Sequence, residues 1–366
     1  MTKSKQGDVL LLVGTRKGAF TFRSDARRKK WSIEEPLFPG RQVHHFIRDP
    51  RGDGKSRFAA TFNDWFGSDI QRSTDGGRTW KASEGGVRYA EDAGLSVKCI
   101  WHIRPGRAGE PGVVYSGVDP AGLFRSEDGG ATWAEVRGLT RHATRSQWTP
   151  GAGGLIAHTI ILDPADPARM FVAISAAGVF RSDDGGTTWQ PRNKNTRADF
   201  LPVKFPEIGQ CVHKVVLAPG SSTRLYQQNH CGVYRTDSSG DSWKDISRGL
   251  PSRFGFVIAV HPRESETIWV IPAVGAEYRA CPDGCLAVWR STTGGRSWHK
   301  QTRGLPTRNA HLLVLREAIS TDSSDPAGVY FGTETGQLFA TREEGRNWEL
   351  IADFLPPILS VEAATL

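Results

Sequence analysis

The chain has 366 residues, 23% of them charged, with 47 Lys and Arg against 39 Asp and Glu for a net charge of +8. No stretch approaches the roughly 18 apolar residues of a membrane helix. Five Cys are too few, and odd in number, for a disulfide-bonded scaffold. Gly and Pro, at 41 and 21 residues, indicate many turns between short elements, and twelve Trp against two Met is the oddity to explain.

In chain order, the first apolar stretch, DVLLLVGT, is too short for the apolar region of a secretory signal and lacks a small-residue cleavage site, so a cytoplasmic location is expected. It reads as a strand, and GAFTFRS and KWSIEE read as two more. From there one unit recurs: RSTDGGRTW at 72–80, RSEDGGATW at 125–133, RSDDGGTTW at 181–189, RTDSSGDSW at 235–243, RSTTGGRSW at 290–298 and ATREEGRNW at 340–348. An eroded copy, RSDARRKKW, ends at Trp31. The seven Trp lie 49, 53, 56, 54, 55 and 50 residues apart, which marks a repeat architecture. In each copy a strand ending in a hydroxyl residue enters a tight turn. An acidic residue (Asp75, Asp128, Asp184) accepts backbone N–H bonds there, and a Gly takes the positive φ. The Trp then opens the returning strand and lays its ring against the neighbouring sheet.

Each copy is preceded by two further strand-like runs, such as HTIILDPADP and RMFVAIS before the third box. Four short strands every fifty-odd residues predict propeller blades. The first repeat lacks its innermost strand, and ILSVEAATL follows the last blade unpaired. The expectation is an all-β, seven-bladed propeller forming one domain over 1–366, its ring closed by that last strand.

The turn resembles the Asp-box, or BNR repeat, S/T-x-D-x-G-x-T-W, shared by sialidases, sortilin-type receptors and a photosystem II assembly factor. The stretches QCVHKV, QQNHCGVYR and FGFVIAVHP resemble bacterial cytoplasmic proteins described as BNR-repeat glycosyl hydrolases or exo-α-sialidases. The resemblance covers essentially the whole chain and implies a propeller. Sialidases of this type carry an F/Y-R-I-P motif ahead of the first box. PLFPGR, FIRDP and HIRPG do not fit it, which puts sialidase activity in doubt.

Function is sought on the face opposite the boxes, where the innermost strands begin. Counting back six from Pro50, Pro105, Pro164, Pro219, Pro262 and the equivalent Glu317 gives His44, Cys99, His158, His213, Phe256 and His311. Four His and a Cys at one repeat position predict a transition metal on the axis, Zn, Fe or Cu, because imidazole and thiolate suit those ions. A shift of one residue would exchange His44 for His45. The competing reading is an anion-binding or structural His cluster. His230 is expected as outer ligand or acid/base, with Glu207 and Asp64 as partners of ligand imidazoles. Trp65, Trp101, Trp148, Arg88, Arg192, Asn229 and Arg279 are candidates for substrate contact. Cys281 and Cys285 are expected as free thiols in a tight loop.

The leading expectation is a metalloenzyme acting on a small substrate, anionic if the basic loops (Arg88, Arg141, Arg145, Arg192 to Lys204) steer it. The alternatives are a sialidase-type glycoside hydrolase and a protein-binding assembly scaffold. Nucleic acid is the weaker partner reading for the basic loops, and no membrane association is expected.

Overall fold

A computed structural model of the chain describes residues 5–366; the first four residues of the expected 1–366 domain lie outside the described residues. Twenty-eight strands form seven four-stranded antiparallel sheets, in the order the repeat predicts. The innermost strands of blades 2 to 7 are Gln42–Arg48, Cys99–Pro105, Ala157–Leu162, Val212–Leu217, Gly255–Val260 and Ile319–Thr321. Blade 1 receives its innermost strand from Ile358–Thr365, which pairs antiparallel with Val9–Thr15 and closes the ring. No helix is long and apolar enough to cross a membrane among the described residues.

The inner strands are largely buried because each is covered by the blades on both sides, Ala157–Leu162 throughout its length, while others carry polar residues such as His45, His102 and Lys214 toward the axis. Between the blades lie Phe171, Phe180, Tyr226, Trp269 and Phe331, each almost completely buried. In the best copies the repeated turn is knit as its residues predict. Ser182 Oγ donates to Asp184 Oδ1 at 2.8 Å and accepts from Gly186 N–H at 2.8 Å. Asp184 also accepts from the Thr188 N–H at 2.8 Å and its hydroxyl at 2.6 Å. Gly186 holds φ +97° with its Cα face against Val136, so only Gly serves there. Where the acid is lost, a hydroxyl takes over: Thr293 Oγ1 accepts from Ser297 N–H at 3.0 Å. In the eroded copy Ser24 Oγ has no hydrogen-bond partner among the described residues.

The Trp residues do more than pack. Trp133 Nε1 donates to Ser83 Oγ (3.0 Å), Trp243 Nε1 to the Arg192 carbonyl (2.8 Å) and Trp298 Nε1 to the Ile246 carbonyl (2.8 Å). In each pair the acceptor belongs to the preceding blade, so these rings tie one sheet to the next. Arginines join blades in a similar way. Arg51 donates to carbonyls of Glu110 and Val113 in blade 3, and Arg107 to those of Asp163 and Arg169 in blade 4. Part of the basic excess is thus consumed in joints between blades. Asp184→Ala is expected to cost about 1–2 kcal/mol, the value of charge-assisted hydrogen bonds on a turn. A lower urea midpoint at unchanged slope would register it.

Candidate functional site

The inner strands bulge at one level: pairing slips by a residue at His44, Trp101, His158 and His213. The bulge defines true equivalence between blades and corrects the count from proline in two of them. In blade 3 the turn is closed by Gly106 N–H to Val113 O, where blade 2 uses Asp49 and blade 4 uses Asp163. Trp101, not Cys99, therefore takes the His44 place. In blade 7 Asp322 closes the turn, so Glu317 itself takes that place, and His311 lies outside the inner strand.

The five expected metal ligands do not converge. His158 is fully buried with both ring nitrogens engaged, Nδ1 with Thr159 Oγ1 and Nε2 with the Val212 carbonyl, each at 2.9 Å. It is a strut between blades 4 and 5. His311 is exposed and its Nδ1 meets Tyr278 Oη at 2.9 Å. Cys99 sits beside Ile100, its thiol pushed far up by burial. His44 packs on Trp101, ring centroids 4.6 Å apart, with Nδ1 unbonded and its pKa lowered to about 4 by burial and by Arg16. Only His213 enters a cluster of metal-ligating atoms, together with His230 and Cys211.

His45, the one-residue alternative to His44, belongs to a second cluster on the axis with His102 and Glu317. Glu317, 2% exposed, receives the Lys214 ammonium, with His102 Nδ1 at 3.6 Å and His45 Nε2 at 4.0 Å. His45 Nε2 also meets Glu362 at 3.2 Å, its Nδ1 accepts from Ile103 N–H at 3.0 Å, and its ring stacks on His102 at 4.5 Å. Burial opposes ionisation of Glu317, yet Lys214, His102 and His45 outweigh it and hold the carboxyl well below its ordinary range. Residues of blades 1, 2, 3, 5 and 7 meet in this cluster. Because Lys214 already balances the carboxylate a cation would use, its chemistry is that of a structural hub. Just beside it Arg316 donates to Ser175 Oγ at 2.7 Å and lies over both Trp101 and Phe256, its guanidinium 5.8 and 5.9 Å from their rings.

The other expected contacts divide. Trp148 is buried against Phe180 and His142, so no ligand reaches it. Asn229 is fully buried in its hairpin, bonded to Gln210 and to Cys231 N–H. Glu207 pins its own loop by accepting from Asn193, and Arg192 is held at 3.4 Å by Asp241 of the next blade's turn. Their side chains bind the loops, which is why they are unavailable to a ligand. Asp64 and Trp65 stand exposed at a loop tip, and Arg279 is exposed over the Phe256 ring. Cys281 and Cys285 are free thiols.

Arg88 borders a cavity of about 840 Å³ in the groove between blades 2 and 3. Phe66, Asp69, Tyr89, Glu91 and Arg41 share its wall. Phe66 in its wall and Trp65, the residue before it, are 83% and 88% exposed, which no packing role explains. Asp69 is half-buried; burial raises its pKa, more than Gln71 and Arg41 lower it. Sequence reasoning missed Asp69 because nothing in GSDIQRS distinguishes it from any strand polar residue. It missed Cys211 although QCVHKV places a thiol two residues from His213.

The fold is a seven-bladed propeller, and the chain is similar over part of its length to propeller glycoside hydrolases. The chain is 26% identical over 288 residues to the xyloglucanase Xgh74A of Acetivibrio thermocellus, which covers 70% of this chain and 32% of that protein. It is 33% identical over 123 residues to an oligoxyloglucan-reducing end-specific xyloglucanase of Emericella nidulans, covering 32% of this chain and 14% of that enzyme. The chain thus spans about a third or less of the length of these relatives. Among solved structures, the GH74 xyloglucanase of Xanthomonas campestris superposes with a TM-score of 0.65 at 19% identity, over 99% of this chain and 52% of that one. YCF48 bound to D1 peptide shares the fold at a TM-score of 0.52 and 14% identity, over 96% and 99%. No family model matches the chain.

Proposed function

We propose that the protein binds and hydrolyses a carbohydrate in the cavity between blades 2 and 3. Asp69 carries the proposal. It is a half-buried carboxyl whose pKa burial raises, on the wall of a cavity of sugar-accommodating size that the exposed Phe66 ring also lines, with the exposed Trp65 next to Phe66 in the chain. Glycoside cleavage needs one carboxyl held protonated to donate to the departing oxygen and a second, ionised, to attack or to activate water. Asp69 is the donor and Glu91, exposed on the same wall, is the second carboxylate. Trp65 and Phe66 stack against sugar faces, while Arg41 and Arg88 hold hydroxyl or acidic substituents. The relatedness to xyloglucanases supports a glycan substrate over the metal-dependent chemistry expected at first. The sialidase variant is disfavoured by the missing F/Y-R-I-P motif.

The test is hydrolysis of a panel of chromogenic glycosides and xyloglucan oligosaccharides. Asp69→Asn is expected to lower kcat about 10²- to 10⁴-fold on poor leaving groups and to remove the alkaline limb of the pH profile. Trp65→Ala is expected to raise KM with kcat little changed. Full activity in Asp69→Asn, or no turnover of any glycoside by the unaltered protein, overturns the reading.

A further inference from the structure

A second site, independent of that cavity, lies beside the mouth of the channel in blade 5. We propose that Cys211, His213 and His230 form a zinc site with one coordination position left open. One potential ligand atom from each lies within 4.8 Å of the others, and Cys211 Sγ stands 3.5 Å from His213 Nε2. Zn–S and Zn–N bonds of about 2.3 and 2.05 Å at a tetrahedral angle require an S···N separation of about 3.6 Å, so this pair is already spaced for the ion.

The tautomer is also fixed. His213 Nδ1–H donates to the Gly255 carbonyl at 2.5 Å, which leaves the Nε2 lone pair directed at the thiol. A ligand imidazole oriented by a carbonyl on its far nitrogen is the usual second layer of a zinc site. The ring is clamped in that pose by Phe256, stacked at 4.5 Å, and by Phe254 at 5.4 Å. His230 comes from the neighbouring hairpin, whose backbone N–H donates to the Cys211 carbonyl at 2.9 Å, so one hydrogen bond sets the two ligand-bearing segments in register. Its ring stands between Phe200, Phe254 and His213.

A donor set of one thiol and two imidazoles is soft enough to select zinc over calcium or magnesium. Binding releases the Cys211 proton to solvent and forms the Zn–S bond. Three protein ligands leave a fourth position for water or an exogenous group. The Arg279 and Arg316 guanidinium groups stand 5.5 and 5.9 Å from the ring of Phe256, which stacks on His213, so an anionic group, a carboxylate or a phosphate, is the class of ligand the fourth position takes.

The whole protein, stripped with chelator and retitrated with Zn²⁺ and with Co²⁺, tests this. One equivalent of zinc per chain is expected, and the cobalt form should show a thiolate-to-metal charge-transfer band with intense tetrahedral d–d bands. Cys211→Ser should abolish the charge-transfer band. His230→Ala, in a half-exposed loop and so compatible with folding, should weaken zinc at least tenfold. The double variant Glu317→Gln with Lys214→Met, which removes the charges of the axial cluster without stranding one, should leave stoichiometry and spectrum unchanged. The proposal is overturned by absence of zinc binding in the folded protein, by a cobalt spectrum lacking the thiolate band, or by loss of metal in the folded double variant while His230→Ala retains it.

Discussion

Replacing Glu317 by Gln is expected to destabilise the propeller by about 3–5 kcal/mol, the range for breaking a buried ion pair from one side. The reason lies in what the substitution strands. Lys214 donates its ammonium to Glu317, and His102 and His45 face the same oxygen, the last three buried and Lys214 13% exposed. Without the carboxylate, the ammonium is left in the interior beside two imidazoles and near Arg316, with no counter-charge of comparable proximity. A guanidinium melt should show the loss as a lower midpoint. The double variant Glu317→Gln with Lys214→Met removes both charges and should recover most of it, since an apolar pair replaces an ion pair at little cost. Equal destabilisation of the single and double variants would refute the stranded-charge account and leave only a packing effect.

That hub shows how far the sequence reaches. Blade number, strand order and ring closure follow from Trp spacing, from the turn written seven times over with strand-like runs before it, and from the unpaired last strand, because every copy obeys the same local physics. The axis obeys no such repetition. The proline that marks the turn in most blades is displaced by two residues in blade 3 and absent in blade 7, so counting from it selected Cys99 and His311 where the chain puts Trp101 and Glu317. Glu317 was visible only as a substitute for a proline, and its partner Lys214 as a polar residue in an apolar strand. His213 was legible as a candidate because the count from Pro219 holds in blade 5, and His230 because its loop opens on the same face. Their union with Cys211 depends on a hydrogen bond between two strands, which no spacing encodes. Asp69 acquires its character from burial by a loop twenty residues further on, and a linear reading has no access to that.

A second large effect is expected from acid. His44 and His102 are each lowered from 6.5 to about 4 by burial, with Arg16 adding to the first and Glu317 partly opposing the second. Burial also lowers His158 and His213 well below the ordinary value. These rings are neutral when folded and take protons when unfolded, so the unfolded state gains protons first as pH falls. Their contribution is complete above about pH 6.5 and is lost progressively toward pH 4, by linkage about 3 kcal/mol for His44 alone. The depressed carboxylates of the repeated turns act lower. Asp128, held at about 2 by bonds from Thr132 and Ser126 that exceed the effect of burial, loses its contribution only below the ordinary carboxyl range near 4. Calorimetry at a series of pH values should show a flat melting temperature above pH 7, a decline beginning near 6.5 and a second, steeper one below 4. His44→Phe, which keeps the contact with Trp101, should shallow the first decline. A melting temperature unchanged from pH 7 to pH 5 would contradict the assignment.

The closing strand has a kinetic side. Val9 stands opposite Thr365, the strand pairing most distant in sequence among the described residues, so its loop entropy must be met before any of its hydrogen bonds return free energy. Six blades can assemble from neighbours in sequence, whereas the first remains a three-stranded sheet until that strand arrives. Meanwhile Val9–Thr15, apolar almost throughout, presents an unpaired edge of the kind that recruits a strand from another molecule. Ring closure therefore also ends the interval in which this chain is open to aggregation and strand exchange, and anything that delays it lengthens that exposure.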